Sequence, residues 1–92
     1  MINTKLSRIR SPRNKIEFVA TVLSITLEGE QKTKIMFEVY TSYNQLKGIL
    51  DELQHVEMLS YNPYSETYHT TAKGKHFLEL YRRLSQSGIL NK

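Results

Sequence analysis

The 92-residue sequence predicts one α+β domain that is mainly α-helical, with three helices, a two-stranded hairpin and a C-terminal helix. Three observations predict this fold class. Apolar residues recur at helical spacing in three successive segments before Glu57, the spacing then changes to the alternation of short strands, and helical spacing returns after Thr71. A chain of this length encloses a single core, so we expect these segments to pack together.

The composition is that of an ordinary globular domain. Hydrophobic residues make up 39% of the chain and charged residues 24%, which argues against a disordered tail and a membrane protein. No apolar run approaches the roughly 20 residues of a membrane span, and the first residues lack the apolar segment of a secretory signal. Cysteine is absent, which excludes disulfides and thiolate metal sites. We therefore expect a cytoplasmic protein.

The first helix is expected to begin at Ser11-Pro12, because Ser caps free backbone N–H groups and Pro tolerates the first helical position. It should run to about Leu27, before Gly29 closes its last turn. The inner stripe comprises Ile16, Val19, Ala20, Leu23 and Leu27. A second apolar stripe on another face comprises Phe18, Val22 and Ile25. A helix that packs one face against a core needs only one apolar stripe, so we expect a partner to cover the second stripe.

A short second helix is expected from about Thr33, its cap, to Tyr40. Ser42 and Gln45 have the spacing of a capping box and open a third helix that ends near His55. The inner stripe of this third helix comprises Leu46, Ile49, Leu50, Leu53 and Val56. Two helices joined by so short a connection predict a helix-turn-helix.

Two short strands are expected on either side of a turn at residues 62–65, which are rich in turn formers. The alternating residues of these strands are Leu59 and Tyr61 before the turn and Tyr68 and Thr70 after it. Thr71 is the expected cap of a final helix over residues 72–87, and Gly88 is its expected stop. The apolar stripe of this helix comprises Phe77, Leu80, Tyr81 and Leu84, with Leu78 outside it.

The net charge of +4 is concentrated at the front of the chain. Five of the 13 basic residues precede the first acid, so eight remain with all nine acidic residues in a nearly neutral body. These five are Lys5, Arg8, Arg10, Arg13 and Lys15. We therefore divide the chain into a basic arm, residues 1–10, and a folded domain, residues 11–92. Such an arm is suited to gripping phosphates, and a solvated charged terminus is the alternative interpretation.

Four motifs stand at characteristic places along the predicted elements. They are Arg10-Ser11 at the first helix, Thr33-Lys34-Ile35-Met36-Phe37 in the second, Ser42-Tyr43-Asn44-Gln45-Leu46-Lys47 opening the third and Tyr68-His69-Thr70-Thr71-Ala72-Lys73-Gly74 entering the last. Over about residues 8–84 the chain resembles the small archaeal winged-helix proteins, which include transcription-regulator-like domains and chromosome-binding proteins. The resemblance implies a winged helix-turn-helix fold, in which the third helix enters the major groove of DNA and the hairpin, or wing, reaches a neighbouring groove or the backbone. It also implies that the last helix pairs two subunits.

The partner expected from this resemblance and from the residue types is double-stranded DNA. Hydroxyl and amide groups at the start of the third helix suit phosphates or base edges, and a lysine there neutralises a phosphate. The predicted DNA-binding residues are Arg8, Arg10, Arg13, Ser42, Tyr43, Asn44, Gln45, Lys47 and Tyr64. Further cations that could assist are Lys32, Lys34, Lys73 and Lys75. Asp51 and Glu52 repel phosphate, so only the first two turns of the helix should enter a groove. In the alternative interpretation Ser42 and Gln45 only cap the helix.

A homodimer is expected from the surplus of apolar residues, because exposed apolar patches usually meet partners. Its predicted interface combines the second stripe of the first helix with part of the last helix. The residues are Phe18, Val22, Ile25, Leu78, Tyr81 and Leu84.

The expected function is sequence-specific or general binding of double-stranded DNA on the chromosome, as a transcriptional regulator. The alternative is a winged-helix protein-protein interaction module without DNA binding, because a fold does not determine a function. An enzyme and a cofactor are not expected, since the sequence has no phosphate-cradling glycine loop and no Gly-x-Ser-x-Gly element. His55, His69 and His76 lack the spacing of metal ligands, so no metal site is expected.

Overall fold

The computed structural model describes residues 14–39 and 41–88. Within these residues the secondary-structure elements, in chain order, are α1 (Lys15–Ile25), β1 (Glu30–Gln31), α2 (Lys32–Val39), α3 (Tyr43–His55), β2 (Leu59–Asn62), β3 (Thr67–Thr70) and α4 (Ala72–Gln86). The prediction of a mainly helical α+β fold with three helices, a hairpin and a C-terminal helix is confirmed. The strand β1 was not predicted.

β1 converts the predicted two-stranded hairpin into a three-stranded antiparallel sheet with the order β1-β3-β2. Glu30 lies opposite Tyr68, and Gln31 lies opposite Thr67. A strand of two residues is too short to show an alternating pattern, so the sequence gives no sign of it. Through this pairing, the segment that links α1 to α2 is attached to the wing.

One hydrophobic core lies between the helices and the base of the sheet. Its buried apolar residues are Ala20, Val22, Leu23, Ile35, Val39, Leu46, Ile49, Leu50, Leu53, Leu59 and Leu78. The predicted inner stripe of α3 is confirmed in its first four members, whereas Val56 is 37% exposed. The predicted inner stripe of α1 fails at Ile16, which is 52% exposed in the first turn.

The second apolar stripe of α1 is not a free surface, and this corrects the predicted dimer interface. Val22 is fully buried, and Phe18 and Ile25 are partly buried against the core. The physical reason is that α1 packs against both α2 and α4 within one chain. Two faces of α1 are therefore covered without a second subunit.

The apolar stripe of α4 is also rotated relative to its prediction. Leu78 is only 2% exposed and belongs to the core, so it cannot contribute to a dimer interface as predicted. Leu80, which was expected in the main stripe, is 45% exposed, and Leu84, which was also predicted at the dimer interface, is 43% exposed. Phe77 and Tyr81 lie at the edge of the core, with their rings stacked at a centroid distance of 6.4 Å.

α1 begins at Lys15 and not at Ser11-Pro12, which lie outside the described residues. Asn14 is its cap, since the Asn14 Oδ1 atom accepts a hydrogen bond from the Glu17 N–H at 2.8 Å. The helix ends at Ile25, two residues earlier than predicted. Gly29, with a φ of 95°, then turns the chain into β1.

The predicted caps of α3 and α4 are confirmed. The Ser42 hydroxyl accepts a hydrogen bond from the Gln45 N–H at 3.2 Å, and the Thr71 hydroxyl accepts one from the Gly74 N–H at 3.1 Å. The predicted cap of α2 is wrong, because Thr33 is its second residue and the helix follows directly on β1. The predicted end of α2 at Tyr40 lies outside the described residues.

A buried pair of threonine hydroxyls joins the end of α1 to β3. Thr26 is fully buried and Thr70 is 6% exposed, and their Oγ1 atoms are 2.8 Å apart. The Thr70 hydroxyl donates to the Leu23 carbonyl at 2.7 Å, and the Thr70 N–H donates to the Thr26 carbonyl at 3.0 Å. These bonds satisfy carbonyl groups that the end of a helix leaves without intrahelical partners.

α4 passes so close to the start of β2 that it requires a glycine. A Cβ atom on Gly74 would overlap the Met58 carbonyl oxygen and would lie 2.7 Å from Thr70 Cγ2. The Thr71 N–H donates to the same Met58 carbonyl at 3.0 Å, which fixes this approach.

Candidate nucleic-acid interface

α3 presents a polar face on the side opposite its buried stripe. Asn44, Gly48, Asp51 and His55 are exposed along this face, at intervals of three or four residues. Hence they lie on one side of the helix, directed away from the core. We call this set the outer face of α3.

Two predicted DNA-binding residues also perform a structural task at the start of α3. Ser42 caps the helix, and the Gln45 Oε1 atom accepts a hydrogen bond from the Thr41 hydroxyl at 2.7 Å. Both side chains belong to exposed residues. The structure thus bears out the capping role of Ser42, whereas the Gln45 side chain bonds to hydroxyl groups of the preceding turn, and both residues lie at the surface.

A cation is held between the start of α2 and the start of α3. The Lys32 Nζ atom donates to the Tyr43 hydroxyl at 3.4 Å and lies 4.8 Å from the centroid of the Tyr43 ring. Attraction between an ammonium group and the face of an aromatic ring favours this position. Tyr43 was predicted as a DNA-binding residue, and the structure places it beside Lys32, which was named only as an assisting cation.

Lys47 forms an ion pair with Asp51 one turn later, with 3.1 Å between Nζ and Oδ2. The hydrogen bond that Lys47 donates to Asp51, together with the charge of that carboxylate, raises the pKa of Lys47 above its ordinary value. Both side chains are more than half exposed, so the pair is weak and its lysine is accessible.

Lys32, which contacts Tyr43, also lies beside Tyr61 and Tyr68 of the wing. The wing is therefore on the side of α3 that carries Tyr43 and Lys47, which we call the wing flank. The rings of Tyr61 and Tyr68 pack at 4.8 Å between centroids, one from each strand of the hairpin. Burial raises the pKa of Tyr68, and Lys32 acts against this increase. The Tyr68 hydroxyl therefore stays protonated at neutral pH. A polar groove between the wing and the start of α2 is lined by Gln31, Lys32, Thr33, Tyr61, Glu66 and Tyr68.

The opposite flank of α3 contacts the first residue of α1. The Lys15 Nζ atom lies 2.7 Å from Glu52 Oε2. Glu52 lies about 140° around the helix from Lys47, because successive residues are rotated by about 100°. The chain that precedes Lys15 therefore joins the domain on the flank opposite the wing, which we call the arm flank. The predicted contacts Arg8, Arg10 and Arg13 lie outside the described residues.

The turn at the tip of the wing projects one aromatic ring into solvent. Tyr64 is 97% exposed. The Asn62 Oδ1 atom accepts hydrogen bonds from the N–H groups of Tyr64 at 2.9 Å and of Ser65 at 3.3 Å, which shapes the turn. Tyr64 is therefore presented on a defined turn at the far end of the hairpin.

Within residues 14–39 and 41–88, no group of three or more His, Cys, Asp or Glu side chains is arranged to hold a metal ion. None of the helices in that part of the chain has the length and apolar content needed to cross a bilayer.

A helix-turn-helix followed by a hairpin and a returning helix, with a polar face on its third helix, defines the class of winged helix-turn-helix domains. The sequence matches the winged helix-turn-helix family over residues 12–88, and the chain belongs to that family. No curated protein matches the chain. The predicted resemblance is thus confirmed at the level of the winged-helix family, whose domains are typically DNA-binding and non-enzymatic.

Proposed function

We propose that this domain binds double-stranded DNA through the start of α3 and the basic arm, and that it acts as a transcriptional regulator on the chromosome. One observation carries the proposal. The outer face of α3 lies between Lys32 and Lys47 on the wing flank and the point where the arm joins on the arm flank. A helix placed in a major groove has a phosphate backbone on either side, so cations on both flanks suit that position.

The charge distribution limits the contact to the first two turns of α3. Asp51 and Glu52 stand in the third turn, where they repel phosphate. Within the described residues, few exposed lysines or arginines lie near this helix. We therefore assign most of the phosphate contacts to Arg8, Arg10 and Arg13. The 13 residues before Asn14 can span up to about 45 Å, several times the width of a DNA groove of about 12 Å.

The test compares the salt dependence of duplex binding for the full chain and for a chain that lacks residues 1–10. Each phosphate contact that is lost reduces the slope of log affinity against log salt concentration by about 0.9. Removal of Lys5, Arg8 and Arg10 should therefore reduce the slope by up to about three units, and we expect affinity at about 0.1 M salt to fall at least 10-fold.

The matched variant keeps the full length and replaces Arg8, Arg10 and Arg13 by Gln. Its salt slope should fall by the same amount as that of the shortened chain, because the slope depends on the charges that contact phosphate and not on the length of the arm. Lys32→Gln provides the comparison on the wing flank, with an expected loss of about one unit. Equal slopes for the full and shortened chains would show that the arm does not contact phosphate.

A protein-interaction module is the second candidate, favoured by the nearly neutral body and by exposed apolar residues. Phe37 on α2 is 81% exposed. The two candidates differ in whether random duplex binds at low salt, because nonspecific DNA binding is electrostatic and strongest there. Absence of binding at low salt would favour the protein-interaction module.

We also propose a homodimer, now assigned to α4 alone. Leu84 and Leu80 are exposed on this helix, next to the partly buried Tyr81. Sedimentation of the full chain at micromolar concentration should show a dimer, and Leu80→Gln with Leu84→Gln should convert it to a monomer. A monomer before any substitution would contradict the assignment.

A further inference from the structure

Gly48 occupies a position in the middle of α3 where the fold does not require a glycine. A Cβ atom built on Gly48 finds no atom within 4 Å, and its φ is not in the positive range. Gly74 and Gly29 differ from it in this respect. Gly74 is enclosed by the Met58 carbonyl, and Gly29 has a positive φ and lies under the His69 ring.

A glycine in a helix interior destabilises the helix relative to alanine, because it loses more backbone freedom on folding. α3 supplies four buried leucine or isoleucine side chains to the core, so its stability matters to the whole domain. The folded chain therefore carries a cost at Gly48 that neither its packing nor its backbone conformation explains.

We propose that Gly48 is the point where α3 comes closest to the base pairs of a DNA duplex. This inference rests on the proposed function. An α-helix with its side chains is about 10–12 Å across, and the major groove is about 12 Å wide, so bulk on the outer face limits how deeply the helix can enter. The absence of a side chain at residue 48 removes that limit at the centre of the face.

The neighbours of Gly48 agree with a close approach confined to this turn. Asn44 lies one turn earlier on the outer face, and its amide group has the donor and acceptor needed to pair with adenine. Asp51 lies one turn later, where its charge opposes a nearby phosphate. The closest approach therefore falls between an amide that can contact bases and the acidic end of the helix.

The experiment measures stability and duplex affinity for Gly48→Ala and Gly48→Leu in the full chain. Both variants should raise the Tm by about 2–8 °C, because they remove the glycine penalty and meet no neighbouring atom. Affinity for the duplex should fall about 10-fold for Ala and further for Leu, in order of side-chain size. The salt slope should stay unchanged, because no cation has been removed.

Ser24→Ala is the matched control. Alanine has a higher helix propensity than serine, so the change should stabilise α1 at an exposed site while leaving α3 unaltered. It should raise the Tm without changing affinity. If the unaltered chain binds duplex and both Gly48 variants bind it equally well, the inference about Gly48 is wrong and the proposed function stands. If the unaltered chain binds no duplex at low salt, both are wrong.

Discussion

Gly74→Ala is expected to lower the free energy of unfolding by about 3 kcal/mol, at the upper end of the usual cost of overpacking. The new Cβ atom would overlap the Met58 carbonyl oxygen, which is backbone and has no alternative rotamer. Relief requires α4 to move away from β2, and that movement disturbs the Thr71 cap and the packing of Leu78. Urea denaturation followed by circular dichroism measures the change.

Two comparisons make this prediction specific to the contact with Met58. Lys75→Ala, at an exposed site one residue later, should change stability by less than about 0.5 kcal/mol. Gly48→Ala is the same substitution in another helix and should act in the opposite direction. A Gly74→Ala protein as stable as the unaltered chain would show that α4 does not approach β2 as closely as described.

Thr70→Val should lower the free energy of unfolding by about 2 kcal/mol. Valine has nearly the same shape, so the change removes the hydroxyl group and little else. The Leu23 carbonyl then loses its donor at 2.7 Å, and leaving a buried polar group unsatisfied costs about 1–3 kcal/mol. The Thr26 hydroxyl loses its contact with Thr70 but keeps its bond to the Val22 carbonyl.

The control for this loss is Thr67→Val, three residues earlier on the same strand. The Thr67 hydroxyl lies nearer the surface, where it contacts Ser65 and His69, so water can replace its partners. Its loss should cost less than about 0.5 kcal/mol. Chemical denaturation of the two variants compares them directly, and equal costs would contradict the role assigned to the buried hydroxyl pair.

The elements whose formation depends on local chemistry were predicted well from sequence. Ser42 and Thr71 cap the helices that they were expected to cap, and the hairpin forms around the expected turn. The inner stripe of α3 was also predicted, because that helix has one buried face and one polar face. In each case the pattern of the segment itself carries the information.

The incorrect predictions concern α1 and α4, where packing against other elements determines which face of the helix is buried. α1 has two apolar stripes because α2 and α4 both cover it, and a sequence pattern does not distinguish cover by the same chain from cover by a second chain. In α4, Leu78 and Leu80 exchange their expected environments, because the middle turns of this helix carry apolar residues on more than one side. Only the tertiary packing selects between them.

The candidate interface likewise combines features that follow from local sequence with features that depend on tertiary packing. Its residues at the start of α3 follow from the capping pattern and the polar face, and the structure leaves them exposed. The association of Lys32 with Tyr43 does not follow from sequence, since Lys32 begins α2, Tyr43 begins α3 and only the packing of the two helices brings them together. Within a single helix the side chains that touch are three or four residues apart, so a separation of 11 residues gives no sign of this contact.

The pairing of β1 with β3 has a consequence for how the domain meets a partner. Gln31 at the end of β1 is followed directly by Lys32 at the start of α2, and Lys32 in turn contacts Tyr43 at the start of α3, so the wing is connected to α3 through these two residues. A hairpin attached only at its base would move relative to the helices, and it would lose that conformational freedom when it bound a partner. The pairing of β1 with β3 restricts the motion of the wing before any partner is bound, so less conformational entropy is left to be lost on binding.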